Sequence, residues 1–341
     1  MKYNHSLPLI LILCIIACST LYSCSPKEPA IPDHPITANQ TTDPGFPDVK
    51  TTQAPDVSGA LVSAGRQRTY LIHLPTAYTK SLAWPLVIIL HGGGGEGRQM
   101  NALTGFNMEA DKHGFVAVYP DAVEHNWNDG RGNPGIRSQV LDIDDVSFIS
   151  TLIDRLENEL NINKKMIYVT GISNGAMMSH RLACELSDKI AAIAPVAGNI
   201  PEKMMRTWSP DRPLPVLIIN GTDDPLVPWN GGEVTFLTLK RGRVISVADT
   251  VRFWIAKNGC PAVPQTNYLP DIDREDGTTT TVESYKGCSR EAEIVLYTVN
   301  GGGHTWPGGL QYINEALIGK TSRDFQATAT IWQFFKMHPM K

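Results

Sequence analysis

Residues 166–175 read Met-Ile-Tyr-Val-Thr-Gly-Ile-Ser-Asn-Gly, and an amphipathic stretch from Ala176 to Leu186 follows at once. Met166 to Thr170 is apolar and β-branched, the pattern of a buried strand. Gly171, Ser173 and Gly175 then fit G-x-S-x-G, and the stretch after them has helical periodicity. Strand, sharp turn and helix in that order give the pattern its meaning. A serine on such a turn is held in a strained conformation, and strand and helix crowd together on either side of it. Glycine two positions before and two after leaves the room. The hydroxyl then stands clear of the sheet, and amide N–H groups at the helix start point toward whatever it attacks. Taken alone the pattern is weak, because glycine-rich β–α turns are common. The rest of the chain has to carry the assignment of Ser173 as a nucleophile.

Outward from this stretch, strands and helices alternate. Arg68 to Leu74 alternates and ends at Pro75, as a strand would. Trp84 to Leu90 is a continuous apolar run, the mark of a strand buried on both faces. Gln99 to His113 has the pattern of a helix, and Phe115 to Tyr119 that of a strand stopped by Pro120. Asp121 to Leu141 is a long polar loop, a length that usually carries function and here is expected to decide the substrate. Asp144 or Asp145 can cap a helix running to about Leu160. Ile190–Val196 and Leu214–Asn220 read as strands, Ile245–Asn258 as a helix, Ile294–Val299 as a last strand and Thr321–Met337 as a closing helix. The alternation predicts an α/β fold, a mostly parallel sheet with helices on both faces. In such sheets the site lies at the carboxyl ends of the strands.

Three segments leave strands at that end with reactive side chains or exposed backbone donors. His91-Gly92-Gly93-Gly94-Gly95 follows the first buried strand. Glycines let a backbone come close to a substrate and aim N–H groups at it, and esterases place half of an oxyanion hole here. Gly93 or Gly94 would supply one donor, and the N–H of Asn174 the other. Asn220-Gly221-Thr222-Asp223-Asp224-Pro225 follows another strand. A carboxylate there could orient a histidine and stabilise its cation; the residues alone do not choose between Asp223 and Asp224. Asn300-Gly301-Gly302-Gly303-His304 follows the last strand, and His304 is placed to act as general base. Ser, Asp and His in that chain order are the triad order of the α/β-hydrolase fold. The chemistry they imply, two acyl transfers on an ester, needs no cofactor and no metal.

With these segments in view, the chain resembles the secreted esterases grouped as polyhydroxybutyrate depolymerase-like and feruloyl or acetyl xylan esterases. The likeness rests on Leu90-His91-Gly92-Gly93, Gly171-Ile172-Ser173-Asn174-Gly175-Ala176-Met177, Ala194-Pro195-Val196-Ala197-Gly198, Asn220-Gly221-Thr222-Asp223-Asp224-Pro225 and Gly303-His304-Thr305-Trp306-Pro307-Gly308. It spans roughly residues 57–337. The resemblance implies Asp224 as the triad acid. It departs at Asn220, where the family often has histidine. It also implies a bridge between Cys260 and Cys288, flanking a hairpin near the histidine loop and steadying the approach to His304. Trp127 and Trp306 lie on loops near the expected site, where their rings could stack on a sugar or phenolic ring or pack beneath a loop.

The composition of the 341-residue chain, 42% hydrophobic and 19% charged with a net charge of −4, is that of a globular protein and gives no sign of a nucleic-acid partner. Lys2 and the apolar run Leu7–Ala17 have the layout of a signal peptide, too short for a membrane span. Cys18 and Cys24 both sit where bacterial lipoprotein signals are cut. Cys24 is favoured because the chain turns polar after it. That resemblance implies a lipid anchor on Cys24 and an exported protein, extracellular, periplasmic or on the outer cell surface; simple secretion is the alternative. The expected organisation is a signal peptide over 1–24, a Pro- and Thr-rich tether over 25–57 that lacks apolar residues to bury, and an esterase domain over 58–341.

Other polar residues have plainer readings. His180, two turns beyond Ser173, is expected to be structural. Cys184 should fill space as a small buried residue. His113 and His125 lack metal-ligand spacing. Asp142, Asp144 and Asp145 suit capping and salt pairing better than a cation site. Lys240, Arg241 and Arg243 suit a solvated surface. A cell-wall polysaccharide esterase, acting on ferulate or acetate esters of xylan, is the first functional expectation. A polyhydroxyalkanoate depolymerase is the second, and a non-catalytic binding lipoprotein on the same scaffold the third.

Overall fold

The computed structural model describes residues 56–341. The expected signal peptide, Cys18, Cys24 and all but the end of the tether lie outside the described residues. The first strand, β1, is Val57–Ser63 and pairs antiparallel with β2, Arg66–His73. Then come β3 (Trp84–Leu90), helices α1 (Gly97–Thr104) and α2 (Phe106–His113), β4 (Val116–Pro120), α3 (Arg137–Val140) and α4 (Asp145–Leu160). The long strand β5 (Ile162–Ile172) feeds α5 (Asn174–Glu185), followed by β6 (Ala192–Val196) and β7 (Val216–Gly221). A separate hairpin, β8 (Gly232–Phe236) and β9 (Leu239–Val244), precedes α6 (Val247–Asn258). The chain ends with β10 (Gln265–Tyr268), β11 (Thr279–Tyr285), β12 (Ile294–Asn300), α7 (Glu315–Ile318) and α8 (Ala327–Met337).

The main sheet has ten strands in the order β1-β2-β4-β3-β5-β6-β7-β12-β11-β10. From β4 to β12 neighbours run parallel, and antiparallel pairs flank them at both edges. The expected α/β fold, a mostly parallel sheet with helices on both faces, is what the chain adopts. Side chains of a strand alternate between faces, and the core divides accordingly. Leu86, Ile88 and Leu90 of β3 pack with Phe148 and Leu152 of α4 and Met178 and Leu182 of α5 on one face. Val87 and Ile89 pack with Phe106 of α2 and Ile331 and Phe335 of α8 on the other.

Several boundaries differ from the sequence reading. The single helix expected over Gln99–His113 is two, broken at Gly105, whose left-handed backbone (φ 71°) donates its N–H to Asn101 O and ends α1. The closing helix starts at Ala327, six residues later than expected, because the stretch before it is committed to the histidine loop: Lys320 O accepts from Gly303 N–H and Ser322 O from Gly308 N–H. Asp144 caps α4 by accepting from Ser147 N–H at 2.9 Å. Asp145 forms a buried ion pair with Arg68 at 2.6 Å, under a guanidinium stacked on Phe148. Those two aspartates therefore cap and pair as expected.

Cys260 and Cys288 are joined by a disulfide that flanks the β10–β11 hairpin. The expectation that it steadies the approach to His304 does not hold. Cys288 lies beyond Tyr285, which pairs with Ile294 at the amino end of β12, whereas His304 follows the carboxyl end at Asn300. Replacing both cysteines with serine is expected to lower the unfolding free energy in urea by about 3–4 kcal/mol through loss of loop closure, with ester turnover under native conditions unchanged. An unaltered urea midpoint, or lost turnover in the folded variant, would contradict this placement.

Candidate active site

Ser173 sits at the turn between β5 and α5 with φ 58° and ψ −117°, the strained geometry expected from its motif. Its backbone is anchored on both sides: Ser173 N–H donates to Val196 O of β6, and Ser173 O accepts from Met177 N–H in the first turn of α5. A Cβ on Gly171 would lie 2.7 Å from Leu90 O, and one on Gly175 2.4 Å from Leu90 O and 2.6 Å from His91 O. Both glycines are therefore required by the contact of the turn with β3. Gly198 meets the same turn from β6, where a Cβ would stand 2.7 Å from Ser173 O. The Ser173 side chain is half-buried and makes no hydrogen bond among the described residues.

Asp224 and His304 come together from the loops after β7 and β12, which are paired in the sheet. His304 Nδ1–H donates to Asp224 Oδ2 at 2.7 Å, with both side chains buried. The other carboxylate oxygen accepts from the N–H groups of Leu226 and Val227, each at 2.8 Å. The carboxylate is thus fixed from behind while it faces the histidine. Asp223 is exposed and accepts from Thr222 Oγ1 instead. The two loops touch closely: a Cβ on Gly221 would lie 2.2 Å from Gly302 O and 2.7 Å from Gly303 O. Tyr312, which the sequence reading did not single out, donates its hydroxyl to His304 O at 2.8 Å and is 41% exposed.

The His91–Gly95 segment lies against the serine turn. A Cβ on Gly92 would be 3.5 Å from Ser173 Cβ, and one on Gly93 3.7 Å from Asn174 Cβ. Gly94, one of the two glycines considered as oxyanion donors, is ruled out by its hydrogen bond: its N–H already donates to His125 O at 2.8 Å. The N–H groups of Gly93 and Asn174 have no acceptor among the described residues.

Trp127 and Trp306 do not present ring faces to a substrate. Trp127 is 0% exposed, packs against His91 and donates its indole N–H to His91 O at 3.0 Å. Trp306 is 1% exposed, lies edge-on to Phe106 and donates to Thr328 Oγ1 at 2.9 Å. Both indole N–H groups are satisfied inside the protein, so packing beneath a loop is the reading that holds. The long loop is similarly turned inward. Asn128, Asp129, Arg131, Asn133 and Gln139 are buried and bonded to one another, to α5, to the start of α4 or to the β8–β9 hairpin. No alternation marks these residues in the sequence, and their polarity disguised their burial.

His180 and His91, buried outside this cluster, are neutral. His180 accepts from Trp254 Nε1–H on Nδ1, leaving Nε2–H to donate to Gly198 O, and burial pushes its pKa down to about 3. His91 accepts from Ala122 N–H on Nε2 and donates from Nδ1 to Gly92 O, and burial pushes it to about 4. Burial raises the Cys184 thiol to about 12, as befits a space-filling residue. Both histidines titrate below their ordinary 6.5 when folded, so the unfolded chain binds protons that the native one refuses. Stability is then fully present above pH 6.5 and falls as pH drops toward 4. The slope expected is about 1.4 kcal/mol per pH unit for each histidine. His180→Gln is expected to flatten the pH dependence of the urea midpoint over that window. A variant with the parent's slope would contradict the neutral assignment.

Comparison with known proteins places these segments in company. The family model described as esterase PHB depolymerase matches residues 68–205. NocK of Nocardia uniformis subsp. tsuyamanensis, named as an esterase, is 33% identical over 292 residues, covering 83% of this chain and 82% of that protein. Feruloyl esterase B of Piromyces equi is 28% identical over 243 residues, covering 70% of this chain but 42% of its own length. Feruloyl esterase C of Emericella nidulans is 25% identical over 244 residues, covering 70% and 76%. Among solved structures, an acetyl xylan esterase from Aspergillus awamori shares the fold with a TM-score of 0.50 at 14% identity, over 73% of this chain and 94% of that one.

Proposed function

Since the chain belongs to the PHB depolymerase family of esterases and is a carboxylic ester hydrolase, we propose that it cleaves its ester by two acyl transfers through Ser173, His304 and Asp224. The observation that carries this reading is a strained serine turn after β5 and a buried Asp–His pair on the loops after β7 and β12, all at the carboxyl ends of strands in one parallel stretch of the sheet. His304 Nε2 takes the proton of Ser173 as its Oγ attacks the carbonyl carbon. Asp224, bonded to Nδ1, holds the ring in the tautomer that leaves Nε2 free to accept and stabilises the imidazolium that forms. The N–H groups of Asn174 and Gly93 receive the developing oxyanion. His304 then protonates the leaving alcohol, and a water activated by the same nitrogen releases the acid. Ser173 Oγ makes no hydrogen bond to His304 in the free protein; on this reading the bond forms as substrate binds, as catalytic hydrogen bonds often do.

The substrate class we infer is an ester on plant cell-wall polysaccharide, feruloyl or acetyl. Relatives named as feruloyl esterases support it. So do the exposed apolar side chains of Leu310 and Tyr312 on the histidine loop and Leu317 of α7, which suit a phenolic acyl group better than the two buried tryptophans do. The family's own description makes polyhydroxybutyrate the alternative polymer. Export and a lipid on Cys24 belong to the same proposal; the disulfide is in keeping with an oxidising compartment.

Turnover of methyl ferulate, acetylated xylan and a soluble hydroxybutyrate oligomer by the purified protein tests both parts. Methyl ferulate or acetylated xylan is expected to be cleaved fastest. Asp224→Asn is expected to lower kcat by about 10⁴-fold with KM little changed, and Ser173→Ala to abolish turnover. Retained turnover in Ser173→Ala removes the nucleophile assignment. Preference for the hydroxybutyrate oligomer moves the substrate to the alternative.

A further inference from the structure

The loop after β4 holds more buried polar structure than its place beside the site requires. Trp127 bonds to two different β–α connections at once. Its indole N–H donates to His91 O at 3.0 Å, two residues before Gly93. Its backbone N–H donates to Asn174 Oδ1 at 2.7 Å, and its carbonyl accepts from Asn174 Nδ2 at 3.1 Å. Asn174 Nδ2 also donates to Asp129 Oδ2 at 2.6 Å. Asp129 is 0% exposed. Its carboxylate accepts from Gln139 Nε2 at 2.8 Å and from Arg131 N–H at 3.0 Å, and the Arg131 guanidinium lies against it at 2.8 Å. A buried carboxylate with such a partner avoids the cost of an unpaired charge away from water. Gly93 and Asn174 sit on separate loops with no hydrogen bond between them, so their spacing depends on what bridges them.

We propose that Trp127 and Asp129 are positioning residues for ester cleavage. They lock the His91–Gly93 segment to the amide of Asn174, so that the two backbone donors stand at a fixed separation before substrate arrives. The inference rests on the assignment of those donors made above. Donors held in place need no reorganisation as charge develops on the carbonyl oxygen. A displacement on the order of 1 Å costs roughly 10²-fold in rate. Neither side chain reaches substrate, since both are fully buried, so their effect is confined to the transition state and leaves ground-state binding alone.

Trp127→Phe removes the indole N–H and keeps a ring in the core. Asp129→Asn turns the acceptor facing Asn174 into an amide of nearly the same shape. The measurements are kcat and KM on a soluble aryl ester, inhibition by the matching aryl trifluoromethyl ketone, and inhibition by the matching uncleaved amide. The ketone's adduct with serine carries the oxyanion; the amide binds as a ground-state mimic. In either variant kcat is expected to fall by about 10- to 100-fold, with KM within about twofold. Ketone affinity should weaken by the same factor as kcat/KM, and amide affinity should hold. A folded Trp127→Phe with parental kcat and ketone affinity overturns the proposal, as does equal weakening of ketone and amide. Should Trp127→Phe not fold, Asp129→Asn decides by the same readings. Ser173→Ala separates the two levels. If it is inactive while both positioning variants work at the parental rate, the positioning role alone fails. If it turns over, the nucleophile assignment fails and takes this role with it.

Discussion

The close packing of the serine turn on β3 is the constraint from which the site is built. Gly171 and Gly175 let the backbone of the turn lie directly on the carbonyls of Leu90 and His91. A side chain at either position would push strand and helix apart, and the positive φ of Ser173 would have nothing to hold it. The same contact brings the segment after β3 beside Ser173 and Asn174 at the start of α5. Gly198, reached through Ala197 with its own positive φ of 51°, closes the turn from the β6 side.

The second half of the site depends on an equally tight meeting of backbones. Gly221 lets the loop after β7 lie on the carbonyls of Gly302 and Gly303 after β12, and Gly303 and Gly319 let the histidine segment fold closely on itself. That approach puts Asp224 on His304. A buried carboxylate is costly unless its oxygens are satisfied; here one accepts from two backbone N–H groups and the other from the imidazole. Strain in one loop and desolvation in the other are both offset by packing that the sheet supplies. The long loop after β4 then ties the pieces together through buried polar bonds.

What the sequence revealed follows from which features repeat or stand next to one another. The strands of the parallel core and the serine turn were readable because β-branched runs and the G-x-S-x-G spacing are local. Trp84–Leu90 matches β3 residue for residue. The choice of Asp224 over Asp223 was not local; it came from resemblance, and the geometry that separates them is a long-range meeting with His304. The break at Gly105 was hidden because a glycine inside an amphipathic run looks the same whether it continues or caps a helix. The β8–β9 hairpin was missed, and the β10–β11 hairpin was expected only from resemblance, because short, half-exposed strands carry little hydrophobic signal. The two tryptophans illustrate the opposite error. Their place on polar loops suggested exposed rings, yet each indole N–H found a partner inside and the rings were buried with it.

The most direct test of the central assignment is covalent. Treatment of the intact protein with an aryl phosphonofluoridate, followed by peptide mass spectrometry, reports which oxygen is the activated nucleophile. One phosphonyl group per chain, on Ser173, with loss of turnover in proportion to labelling, is the result expected. Full labelling at another residue, or full turnover with Ser173 modified, would contradict it.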